Sequence, residues 1–431
     1  MIQLSTQNYK GARDFYPEDM RLQRYIFDTW RRVSERYGYE EYSAPLLEPT
    51  DLYRAKSGEE IVNEQTYSFT DRGGRDVTIR PEMTPSLARM VAARTQSLAF
   101  PLRWYSIPNV WRYERPQHGR LREHWQLNVD LFGVDDVAAE FEVIRLAHDI
   151  MRAFGADDTM FMIKLNSREL MSYLFGEYLG LSVEAAQRLG KLLDRKNKMG
   201  EEAFVNQADA ILKDNLNSFL ELMKATRLQD LPEPLRESQP AVALREVARR
   251  LHAHQITNIQ FDLTIQRGLD YYTGIVFEIF DTNPENSRSL FGGGRYDDLL
   301  SVFQAPAIPA VGFGMGDVGI ENFLRGHNLI PRIHSPIHVA VVSVDKSAAD
   351  AAERLATRLR ADGLNTIVDV TERKIGTKVK AASQRGIHYV VTVGEQEIES
   401  QRYPLKQLHD GTTQQLDAEG VIAHVRQTVL E

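Results

Sequence analysis

The chain has 431 residues, of which 42% are hydrophobic and 26% charged, with a formal net charge of −8. These are the proportions of a folded protein of about two to four domains. Cysteine is absent, which excludes disulfides, thiolate nucleophiles and thiolate metal ligands. No apolar run approaches the roughly 20 residues that span a bilayer, and the opening MIQLSTQNYKGARDF lacks the apolar core of a secretory signal, so a cytoplasmic chain without membrane contact is expected. The negative balance argues weakly against a polyanionic partner. Basic stretches at 112–122, 188–198 and 373–380 are either local phosphate sites or solvated surface.

Apolar residues recur at helical spacing from Met20 to Val33, and a turn follows at Tyr37-Gly38. Tyr39 to Leu47 reads as one strand. TYSFTD, a Gly73-Gly74 turn and RDVTIR form a hairpin at 66–80. Pro85 opens a helix that runs to about Ala93, with Thr84 placed to cap it. Residues 102–113 and 124–133 form an antiparallel pair of strands joined by a polar, basic loop. A helix covers Ala138 to Phe154. Residues 155–255 read as mostly helical and interrupt two strand-rich regions, so an insertion is placed at about 165–255. Strands return at 259–265, 272–280 and 308–314, and a helix follows from about Asp317 to Leu324. Pro331 to Pro336 reads as a linker, and 337–431 as a small α/β domain built on a β-α-β-α-β series.

Five segments carry candidate chemistry. In the first, Arg112 ends a strand before the loop, and a guanidinium fork there suits a phosphate. The returning strand sets Gln126, Asn128 and Asp130 at i, i+2 and i+4, on one face. That face is either exposed or a polar pocket wall. RGLDYYTG at 267–274 is a turn whose tyrosines pack in a core, or a ligand site with Arg267 on an anion. Gly292-Gly293-Gly294 is a flexible turn, or a backbone that passes close to a flat ligand or a neighbouring strand. It is neither a Walker loop nor a Rossmann fingerprint. Gly312, Gly314 and Gly316 precede a helix N-terminus, where small residues admit a nucleotide. Glu82 and Thr84 follow a strand, as a cap or as ligand contacts.

Taken in order, these segments resemble the class II aminoacyl-tRNA synthetases, and among them the histidyl-tRNA synthetases. GARDFYPEDM resembles that family's start. EYSAPLLEPTDLY resembles motif 1, VWRYERPQHGRLREHWQLNVDLFG resembles motif 2, and RGLDYYTGIVFE and GGGRYD resemble the histidine-specific signatures. KAASQRGIHYVVTVGEQEIES resembles the anticodon-binding domain. The resemblance implies an α+β catalytic core at 1–330, an antiparallel sheet flanked by helices, followed by a small α/β anticodon-binding domain. It implies ATP, L-histidine and tRNA(His) as substrates, Mg²⁺ with the ATP, no zinc, and a homodimer formed through motif 1.

The roles it implies fall on particular residues. Arg112 and Arg267 act on the α-phosphate. Glu82, Thr84 and Gln126 take the α-amino group, and Asp130, Tyr272 and Tyr271 the imidazole. Glu114, Gly314 and Gly316 join Arg112 and Arg267 around ATP, and Arg115, Gln117 and Arg122 meet the tRNA acceptor end. Two departures stand out. The family usually has Glu where this chain has Asp130, so the shorter acid implies a bridging water or a small backbone shift. The motif 3 arginine that binds the ATP γ-phosphate is replaced by Gly319, and Arg325 lies about six residues further on. The rival reading is the non-catalytic, synthetase-like regulatory subunit of ATP phosphoribosyltransferase. That protein typically lacks the anticodon-binding domain and an intact RGLDYYTG, both of which this chain's sequence carries.

Overall fold

The computed structural model describes residues 4–54, 64–116, 119–196, 199–265, 271–286 and 288–429. The chain divides into two compact units, Met1–Ile330 and Pro331–Glu431. No helix among the described residues is long and apolar enough to cross a membrane.

The first unit opens with a helix, Pro17–Arg36, that buries Leu22, Ile26, Trp30 and Val33 along one stripe. The stretch 39–47 is two strands, β1 (Glu40–Glu41) and β2 (Leu47–Pro49), with Pro45 between them. β3 (Tyr67–Thr70) and β4 (Asp76–Ile79) form the expected hairpin, and β2 joins β4 to make a three-stranded sheet. The helix Thr84–Arg94 follows, then β5 (Leu102–Ser106), β6 (Asn109–Trp111) and β7 (Glu123–Phe132). β5 and β6 were read as one strand, and they break around Pro108, which has no N–H for a ladder.

β8 (Phe161–Ser167) lies in a stretch read as helical. Its FMIKLNS alternates only weakly, and its antiparallel partner lies over a hundred residues away, so local pattern does not reveal it. From Arg168 to Ala253 the described elements are helical. β9 (Ile259–Phe261), β10 (Ile275–Asp281), β11 (Ser289–Arg295) and β12 (Ala310–Gly316) complete the main sheet. Its order is β1-β5-β7-β12-β11-β10-β8-β9, with β6 paired to β7. Pairing is antiparallel except for β1 with β5 and β8 with β9.

Leu127, Val129 and Leu131 of β7 are fully buried. The helix Ala138–Ala153 packs against β7 and β12 and contributes Val143, Ile144, Ala147 and Met151 to the core. A buried ion pair joins this helix to the sheet: Arg295 Nε and Nη2 donate to the two oxygens of Glu140 at 2.6 and 2.7 Å.

The second unit carries β13 (Val339–Ser343), β14 (Thr366–Asp369), β15 (Tyr389–Val393), β16 (Tyr403–Gln407) and β17 (Thr413–Leu416), in the order β14-β13-β15-β16-β17. The first three are parallel, as the β-α-β-α-β pattern implies. β16 and β17 add an antiparallel hairpin. Apolar side chains of β13 and β15 are buried on both faces, the mark of a sheet covered on both sides.

Candidate active site

The sheet register builds a glycine floor. Gly312, Gly314 and Gly316 of β12 pair with Asp130, Asn128 and Gln126 of β7. On the other side, Gly314 and Gly312 pair with Gly292 and Gly294 of β11, and Gly292 pairs with Glu278 of β10. Directly opposed residues share a face. One face therefore presents two neighbouring strands without side chains, walled by polar groups on both sides. A Cβ on Gly314 would stand 2.7 Å from Gln126 Nε2, one on Gly294 2.8 Å from Val276 Cγ1, and one on Gly312 would overlap the Asp130 carboxylate. Gly292-Gly293-Gly294 is thus a buried strand rather than a turn. Glycine's poor strand propensity conceals β11 in the sequence.

Above this floor lies a cavity of about 380 Å³. Its lining includes Glu82, Thr84, Arg112, Glu114, Gln126, Asp130, Tyr271, Tyr272, Gly314 and Gly316. Within the lining Asp130 is buried and accepts a hydrogen bond on Oδ1 from the Tyr296 hydroxyl. Its Oδ2 is buried without a hydrogen-bond partner among the described residues. Burial raises the Asp130 carboxyl to about 7, against the pull of the Tyr296 bond. Tyr271 donates weakly toward Glu82 Oε2 (3.3 Å) and Thr84 Oγ1 (3.4 Å), and the rings of Tyr271, Tyr272 and Tyr296 cluster with centroids 4.9–6.4 Å apart. Thr84 is not a helix cap. It is the first helical residue, Met83 holds the cap position, and the Thr84 hydroxyl meets Tyr271 instead.

Arg112 is anchored through Nε to the Pro81 carbonyl at 2.8 Å. Among the described residues its terminal nitrogens have no protein partner, which leaves them available to an anion. His124 also lines the cavity. Burial, followed by the nearby cations Arg112, Arg13 and Arg120, lowers its imidazole to about 3, so it is neutral at physiological pH. Asp317, the first residue of the helix Asp317–Gly326, is buried. It accepts from Arg13 at 2.6 Å and from the Trp125 backbone N–H at 3.0 Å, which fastens the N-terminal arm and β7 to the helix start.

This cavity combines a buried carboxylate, a second carboxylate beside tyrosines, an anchored guanidinium and a side-chain-free floor. The comparisons match the same elements. A family model described as histidyl-tRNA synthetase matches residues 11–317, and one described as anticodon binding domain matches 338–428. The chain belongs to the histidyl-tRNA synthetase family. It is 44% identical to a histidine–tRNA ligase of Leptospira biflexa over 94% of each chain. A histidyl-tRNA synthetase of a Nostoc species has the same fold, with a TM-score of 0.84 at 23% identity, covering 99% of this chain and all of the other. A Bacillus halodurans structure titled as an ATP phosphoribosyltransferase regulatory subunit/histidyl-tRNA synthetase matches with a TM-score of 0.74 at 25% identity, covering 91% and 99%. The regulatory-subunit reading is no better supported than the ligase one.

Not every residue expected of a histidyl-tRNA synthetase site lies in the cavity. Arg267 and Gln117 fall outside the described residues. Arg115 is exposed and is not part of the lining. Arg122 is held aside. Its guanidinium stacks on Tyr113 at 3.9 Å, bonds the Tyr9 hydroxyl at 3.0 Å, and its Nε donates to the Glu114 carbonyl at 3.1 Å. Gly11, at φ +87°, accepts the Arg122 and Glu123 backbone N–H groups, so the N-terminal arm clasps the motif 2 loop. Arg325 pairs with Glu321 and does not line the cavity. Sequence reasoning missed Tyr296, Glu278, His124, Arg120 and Arg288 as lining residues, whereas Asn128 lines the cavity as the alternation of its strand implied. Of these, Glu278 left a visible signal, as the one acid within the otherwise apolar run IVFEIF.

Proposed function

We propose that this chain activates L-histidine with ATP and transfers it to the 3′ end of tRNA(His). The observation that carries this reading is the Asp130 Oδ2, without a partner among the described residues, in a cavity that Arg112 also lines. A buried acceptor of this kind demands a donor, and an imidazole N–H supplies one. Glu82 is the counter-charge for the α-amino group, with Thr84 and Gln126 beside it. Tyr271 and Tyr272 enclose the ring.

The histidine carboxylate then attacks the α-phosphorus in line, and pyrophosphate leaves with the electrons of the broken P–O bond. Arg112 neutralises charge on the α-phosphoryl oxygens, and Arg267 is assigned the same task from the opposite side. Positioning and charge neutralisation supply the catalysis, since phosphoryl transfer requires no covalent help from the protein. Gly314 and Gly316 give the nucleotide its floor. In the second step a ribose hydroxyl of the tRNA attacks the activated carbonyl and AMP departs. Arg115, Gln117 and Arg122 are assigned to the acceptor end, with Arg122 acting from its clasped position.

Mg²⁺ bound with ATP would screen the polyphosphate. Glu114 and Glu278, both lining the cavity, are carboxylates of the kind that hold it together with phosphate oxygens. The motif 1 segment, residues 41–53, is the proposed dimer contact, and the reaction is placed in the cytoplasm. The test is histidine-dependent ATP–pyrophosphate exchange followed by charging of tRNA(His). Exchange and charging are expected with histidine and not with other amino acids. Absence of exchange at saturating ATP and Mg²⁺ overturns the reading and favours a regulatory, histidine-binding role.

A further inference from the structure

Position 319 bears no side chain, and neighbouring backbone occupies the space beside it. A Cβ on Gly319 would lie 3.2 Å from the Leu290 carbonyl oxygen, closer than ordinary van der Waals contact. The start of β11 thus passes beside the first turn of the helix Asp317–Gly326 at a position that bears no side chain. Two residues before Leu290 stands Arg288, which is exposed and lines the cavity together with Asn286, Leu290, Gly319 and Asn322. Among the described residues three guanidinium groups line the cavity: Arg112, Arg120 and Arg288. Arg288 is the one carried by the wall that closes on Gly319.

We propose that Arg288 binds the terminal phosphate of ATP, taking the place of an arginine at position 319. This rests on the ATP-activating reading of the cavity. A side chain at 319 would press on the Leu290 carbonyl, whereas Arg288, two residues before Leu290, already lines the cavity from the strand side. A guanidinium fork suits this task, because it can donate two parallel charge-assisted bonds to a phosphate that carries up to two charges.

The test compares nucleotides that do and do not carry the terminal phosphates, using the full chain. In Arg288→Ala the KM for ATP in histidine-dependent exchange is expected to rise about ten- to a hundredfold, the range for losing a hydrogen bond to a charged group. AMP binding, measured by calorimetry, should stay within about twofold, and the KM for histidine should not move. Arg288→Lys should recover part of the loss. An unchanged ATP affinity in Arg288→Ala overturns the proposal and leaves the terminal phosphate to Arg120. An equal loss for ATP and AMP overturns it too, since that marks a structural role. If the wild-type chain supports no exchange, the synthetase reading fails by itself, while the ATP-against-AMP binding comparison still decides the assignment of Arg288.

Discussion

Asp130 should make the empty protein less stable at neutral pH than it needs to be. Its carboxyl moves from an ordinary value of 3.8 to about 7, chiefly through burial. The group is 3% exposed, so little solvent screening discounts the effect. The folded chain keeps a proton that the unfolded chain releases near pH 4. Stability therefore falls as pH rises from about 4 to about 7 and stays level above that, with a total cost on the order of 4 kcal/mol. Asp130→Asn removes the titration and keeps an oxygen for the Tyr296 hydroxyl. At pH 8 and without ligands the variant should be more stable than wild type by up to about 4 kcal/mol, and the gain should vanish near pH 4. Urea unfolding followed by tryptophan fluorescence reads this directly, because the four tryptophans, Trp30, Trp104, Trp111 and Trp125, all lie in the first unit. The same variant should raise the KM for histidine roughly 10- to 100-fold, since the amide offers its N–H where an acceptor is needed. A stability difference that does not change between pH 4.5 and pH 8 would refute the assignment of a strained, ligand-seeking carboxylate.

Arg112→Ala should lower kcat for pyrophosphate exchange by about 10²–10³ with little change in circular dichroism, as expected for loss of a group that stabilises transition-state charge. Gly312→Ala places a Cβ 2.6 Å from the Val129 carbonyl oxygen and onto Asp130, so it should cost about 1–3 kcal/mol in urea unfolding and impair histidine binding. Gly376→Ala, with nothing within 4 Å of its Cβ, serves as a control and should be neutral or slightly stabilising. Arg295→Ala strands the buried Glu140 and should destabilise the first unit by roughly 3–5 kcal/mol, whereas Arg295→Met with Glu140→Leu should recover much of that. A single variant as stable as wild type would show that the pair carries no net weight.

Much of the candidate site could be read along single strands. Gln126, Asn128 and Asp130 share a face by simple alternation, and that face does line the cavity. Glu82 and Thr84 stood out because they follow Arg80-Pro81 at a strand end. Tyr296 was passed over because it sits in a loop just past a glycine run. It becomes part of the site only when β11 and β7, separated by β12, bring its hydroxyl to Asp130. His124 and Arg122 are close in the chain yet differ in fate. One lines the cavity and the other is clasped by Tyr113, Tyr9 and Glu114, contacts that depend on an arm more than a hundred residues away in sequence.

The sequence by itself determined the chemistry on offer: no thiols, a polar strand face, an arginine at a strand end, three glycine-rich segments, and their order along the chain. Those features follow from residue type and from the period-2 geometry of a strand, which need no partner. Only the tertiary structure decided how they meet. Antiparallel register set Gly312 and Gly314 beneath Asp130 and Gln126 and between them and Gly292 and Gly294. That turned two glycine strings, each ambiguous alone, into one floor. Burial, which no local pattern contains, raised the Asp130 carboxyl and left Oδ2 without a partner. The vacancy at 319 was visible as a missing arginine in the sequence. The fold adds that the Leu290 carbonyl stands 3.2 Å from where a Cβ at 319 would lie, and that Arg288, two residues earlier, lines the cavity.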